Sequence, residues 1–121
     1  MYFRYHVNYI SPKTGMPVGI FVAVGHLVDE RRMLEEEIQT YWEQRKYFEE
    51  VLPVPPFYWE GNPLGAVTWF KENKHTDKLI NQMTFYFEML RKYDVALVKT
   101  KSDNPGKIIY EDDYQVAVIK D

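Results

Sequence analysis

The chain contains no cysteine, which removes disulfides and thiolate metal sites from consideration. Serine is nearly as scarce. Ser11 and Ser102 stand alone, in turn-forming stretches beside proline or aspartate, where bonds to the local backbone account for a hydroxyl. No Gly-x-Ser-x-Gly, Gly-x-Gly-x-x-Gly or phosphate-loop pattern occurs, so serine-hydrolase, dinucleotide and nucleoside-triphosphate chemistries have no footing. No apolar run approaches the ~20 residues of a membrane span. Residues 1–6 lack the basic and then apolar start of a secretory signal. No Lys/Arg run exceeds a pair and the formal net charge is −3, which disfavours nucleic acid as a partner. These absences predict a cytoplasmic protein without membrane contact, resident metal or cofactor.

What is present is ordinary in bulk and unusual in its rings. A length of 121 residues predicts a single domain, residues 1–121, and 45% hydrophobic residues suffice for one core. Aromatic residues make up 17% of the chain, ten of them tyrosines. Such rings bury large areas behind a polar tip, which suits cores and contact surfaces alike.

Residues 2–10 alternate Phe3, Tyr5, Val7 and Tyr9 against Arg4, His6 and Asn8, the period of a half-buried strand. Residues 18–28 are apolar throughout and predict a second, more central strand, joined to the first through Ser11–Pro17. Residues 30–52 change to helical spacing, with Leu34, Ile38, Tyr41, Trp42, Phe48 and Leu52 on one face, Asp29 as N-cap and Pro53 as terminator. The prolines of 53–61 exclude regular structure. Asn62-Pro63-Leu64-Gly65 then predicts a type I turn and Ala66–Phe70 a short strand, with a helix starting at Pro63 as the rival reading. Residues 75–93 predict one helix whose apolar arc spans about 220°. That is more than one neighbour covers, so the sheet and either the first helix or a second subunit must share it. Val95–Thr100, Lys107–Tyr110 and Gln115–Lys120 complete the strands, and the strand–helix–strand from 66 to 100 fits a parallel crossover unit. The order is β-β-α-β-α-β-β-β. The expected fold is α+β, a two-layer sandwich of two helices on a mainly antiparallel sheet.

The stretch Pro105-Gly106-Lys107-Ile108-Ile109-Tyr110-Glu111-Asp112-Asp113-Tyr114-Gln115-Val116-Ala117, with Trp69-Phe70-Lys71 before it, resembles the C-terminal half of a set of small bacterial proteins that end in a similar hairpin. That set has no known activity, so the resemblance implies no function. Tyr110-Glu111-Asp112-Asp113 also resembles a strand opening of histidine-triad nucleotide hydrolases, but the His-x-His-x-His cluster those enzymes need is absent.

Pairing Ile10 with Val18 would set His6 and His26 on one sheet face about 13 Å apart, too far to share a metal. His75 lies in neither strand. The carboxylate runs Glu35–Glu37 and Glu111–Asp113 read as solvated, at a helix start and a hairpin tip. Two features rise above this background. Arg45 falls between Trp42 and Phe48, as an anchor for an anion or as a stem that packs while its head reaches water. Phe57, Tyr58 and Trp59 follow Pro55-Pro56, and three successive rings in an irregular segment cannot all turn inward. The function expected is a non-catalytic binding or regulatory module that self-associates or docks a protein partner, with Phe57, Tyr58, Trp59 and Arg45 as binding residues. The alternative is a small enzyme acting on an anionic metabolite around Arg45.

Overall fold

The alternating N-terminal segment organises the whole sheet. In the computed structural model, which describes residues 1–120, it forms β1 (Tyr2–Ile10). Phe3, Tyr5 and Val7 face one core, while Tyr2, Arg4 and His6 alternate to the other side. β2 (Pro17–Gly19) and β3 (Val67–Lys71) share one edge of β1, and β4 (Val98–Ser102) takes the opposite edge. Beyond β3 lie β6 (Gln115–Ile119) and then β5 (Lys107–Glu111). Every pairing is antiparallel. The helices α1 (Ile20–Asp29), α2 (Glu35–Val51), α3 (Lys74–Asn81) and α4 (Thr84–Lys92) pack on the face that carries Phe3 and Val7. The fold is α+β, helices over an antiparallel sheet, with four helices where two were expected.

The extra helices have local causes. Residues 20–29 form α1 rather than a strand. An apolar run fits either form, and here Ile20, Ala23, Val24 and Leu27 are buried at helical spacing. Asp29 therefore ends α1 instead of capping the next helix. α2 begins later, where the Glu37 carboxylate accepts from the Leu34 N–H at 2.9 Å. The expected helix 75–93 breaks at Gln82-Met83 into α3 and α4. The break turns Leu79, Met83, Tyr86 and Leu90 towards a single core, and α1 lies against α4, so the wide arc is covered largely within the chain. Asp94 adopts φ +57 and Val95 donates to the Leu90 carbonyl at 2.9 Å, ending α4 in a left-handed turn. β4 consequently starts at Val98, while Val95 and Leu97 pack on the helical core. β3 and β4 do run parallel, but β1 lies between them, so the adjacent parallel crossover does not form.

The second sheet face has its own small core of Val67, Trp69, Val116 and Val118, although no helix covers it. Curvature explains this. β4 and β5 lie at opposite edges and run the same way, yet only residues 103–106 join them. Crossing four spacings of ~4.8 Å in a flat sheet takes ~19 Å before the return along the strand, whereas that link reaches at most ~18 Å. The sheet must coil to bring its two edges within reach of the link. Gly106 ends the link tight against β6. A Cβ there would sit 3.4 Å from the Val118 side chain and 2.6 Å from the Ile119 carbonyl, at φ +144, so only glycine fits.

Candidate functional site

The proline-aromatic segment is tightly held. Gln115 of β6 donates to the Pro53 carbonyl at 2.6 Å. Pro56–Tyr58 form a 3₁₀ turn, closed where Trp59 donates to the Pro56 carbonyl at 3.1 Å and Asn62 to the Phe57 carbonyl at 2.9 Å. Asn62 exchanges two bonds with the Ala66 backbone, at 2.9 and 3.0 Å, and Gly65 donates to the Asn62 carbonyl, which closes the expected turn before β3. The three rings then divide. Phe57 sits edge-on to Tyr58 at 4.9 Å and to Tyr110 at 6.4 Å. Tyr58 shares a 2.5 Å hydrogen bond with Thr68, and burial raises its pKa against the lowering pull of that bond and of the Arg4 charge. Trp59 is 70% exposed, and Leu64 is 65% exposed in the adjoining turn.

Arg45 is not embedded in an apolar face. α2 buries only Tyr41 and Phe48, and the Arg45 guanidinium lies outside, 3.1 Å from Glu49 and 5.3 Å from the Trp42 ring. Its ion-pair and ring partners both belong to its own helix, and none is Phe57, Tyr58 or Trp59. The histidines are likewise apart. Ile10 pairs with Pro17 rather than Val18, and His26 stands on α1, where Nδ1 lies 2.9 Å from the Tyr9 hydroxyl. His6 Nε2 meets the Thr100 hydroxyl at 2.7 Å. No group of three His, Asp or Glu side chains among the described residues is placed to hold a metal ion.

Two concavities lie elsewhere. One, of about 540 Å³, runs between α3 and the β1–β4 edge, floored by Phe3 and Tyr5. The Lys99 ammonium occupies that floor, 4.7 Å from the Phe3 ring, and Lys101 pairs with Glu72 at 3.3 Å. The other, of about 420 Å³, includes Tyr9, His26 and Arg32, and Arg32 donates to the Tyr93 carbonyl at 2.8 Å.

Arg4 and Trp69, on the second sheet face, escaped the sequence reading. The alternation of β1 puts Arg4 on its polar side, which reads as solvent-facing, yet Arg4 is 9% exposed. The signal lay elsewhere, in Val116-Ala117-Val118, whose apolar residues on both faces require the second face to be covered as well.

The chain matches no family model, and neither a curated protein nor a solved structure is similar to it. No helix among the described residues is long and apolar enough to cross a membrane.

Proposed function

We propose that this chain is a non-catalytic binding module that presents Trp59 to a protein partner, a second copy of the chain being one such partner. The observation behind this reading is a contrast within three residues. Phe57 and Tyr58 are pinned to β5 and β3, while Trp59 stands in solvent on the turn they hold rigid. A tryptophan presented this way loses little entropy on docking, and Trp is enriched among the residues that dominate interface energies. The enzyme reading built on Arg45 draws no support from its surroundings, because Glu49 already neutralises a surface guanidinium.

A photo-crosslinking phenylalanine analogue at position 59, compared with the same analogue at Trp42 (52% exposed), tests the proposal in the native host. A discrete adduct from position 59 alone is expected, and an adduct of twice the chain mass identifies a second copy. Equal labelling from both positions, or none from 59, removes the proposal. Trp59→Ala should leave the melting temperature within about 2 °C, since the ring it removes is not buried.

A further inference from the structure

Four polar residues are buried among the described residues: Arg4, Asn62, Thr76 and Gln115. Three are satisfied. Asn62 bonds the Ala66 backbone twice, Thr76 meets Asn73 and the Tyr114 carbonyl, and Gln115 donates to Pro53 and Asp112. Arg4 is the exception. No carboxylate or hydrogen-bond acceptor among the described residues engages its guanidinium. Burial pulls its pKa down, and the only group opposing this is the Tyr58 hydroxyl. The Arg4 nitrogens are not fully enclosed and still meet water, but no protein group bonds them, which is uncommon for a side chain nine-tenths buried.

A second orphan stands beside it. The Trp69 Nε1–H is fully enclosed and has no acceptor. β1 and β3 pair Phe3 with Phe70, so Arg4 and Trp69, the next residue along each strand, lie on the same face where the two strands part. Guanidinium and indole are both donors with no acceptor capacity, so neither can satisfy the other. Only an acceptor from outside the pair meets both needs. Arg4 also lies at a notch in the sheet. β3 pairs with Tyr2 and Phe3, and β2 with His6 and Ile10, leaving that edge of β1 unpaired between them. The Arg4 Nη2 reaches towards β2, 3.5 Å from where a Cβ on Gly19 would stand, and the missing side chain leaves it room.

We propose that Arg4 and Trp69 form a binding site for a small oxyanion, the carboxylate or phosphate group of a ligand, in the notch between β2 and β3. The guanidinium fork supplies paired donors and charge, and the indole N–H supplies a third donor from the facing strand. The net charge of −3 works against diffuse anion accumulation, so specific binding stands out from background. The site lies apart from Trp59 and stands whether or not the docking proposal holds.

The three indole N–H resonances of ¹⁵N-labelled protein test it directly. Trp42 and Trp59 are exposed internal controls, and Trp69→Phe assigns the third signal. At constant ionic strength in chloride, inorganic phosphate or acetate should shift the Trp69 resonance saturably and leave the others in place. A response to phosphate alone identifies a phosphate ligand, and a response to acetate alone a carboxylate. Arg4→Met should weaken binding at least about tenfold, and Gly19→Val, which fills the notch and keeps both donors, should do the same. The absence of a saturable Trp69 shift with either anion overturns the proposal. Undiminished binding by a folded Arg4→Met chain overturns it as well.

Discussion

The two faces of the sheet are built on different terms. On the helix face the core is broad and aromatic. Tyr86, 1% exposed, meets Phe21 edge-on at 4.9 Å and Phe48 at 5.6 Å, and the polar residues buried there, Thr76 and Gln115, are bonded, although the Gln44 Oε1 of α2 is enclosed without a partner. On the other face four residues make the core, Tyr2 and Met16 rather than helices pack against it, and Arg4 and Trp69 keep donors without protein partners. The second face gathers its two unpartnered donors on neighbouring strands, the pattern expected where a fold serves a ligand.

The largest effect that would break this comparison is expected at Tyr86. Tyr86→Ala should cost about 3–5 kcal/mol, lowering the melting temperature by more than about 10 °C. A smaller loss would mean that the helix face is not the main source of stability. Gly106→Ala forces a Cβ against the Ile119 carbonyl and should cost about 1–3 kcal/mol, read from the urea midpoint. An unchanged midpoint would show that the link does not press on the second core.

The smallest effect is a pH dependence at the rim of the helix face. Burial pushes the Glu37 carboxyl up, but hydrogen bonds from Lys92, Tyr93 and the Leu34 N–H, with the Lys92 charge, bring it down to about 2. A folded pKa below the ordinary 4.5 means the stabilisation is fully present above the unfolded pKa and is lost as pH falls through the folded one. Glu37→Gln should therefore melt below the parent chain at pH 7. The gap should close between pH ~4.5 and ~2, and a gap that persists through this window would show that the ion pair and its bonds are not its source.

Several elements were legible because their causes are local. The alternation of residues 2–10 is a strand in any context that covers one face. Asn62-Pro63-Leu64-Gly65 turns because proline and glycine restrict the backbone there, and the hairpin of β5 and β6 follows from its strand–turn–strand pattern. The division of Phe57, Tyr58 and Trp59 into inner and outer rings followed from the prolines before them, though not which ring would stay outside. Residues 20–29 were illegible for the opposite reason. An apolar run satisfies strand and helix alike, and Gly25 argues mildly against a helix. The break at Gln82-Met83 has no proline or glycine to announce it, and arises from the need to aim two apolar faces at one core.

Arg45 and Arg4 mark the same boundary. Read from the sequence, Arg45 sat among apolar neighbours and Arg4 on a polar edge. In the structure the first is outside and paired, the second inside and unpaired. Period, turn chemistry and the sharing of a face can be read along the chain, because these depend on neighbours a few positions away. Whether a face is covered depends on segments distant along the chain, here the coil of the sheet and the short link that crosses it. The packing of distant segments is what leaves Arg45 on the surface and draws Arg4 inside.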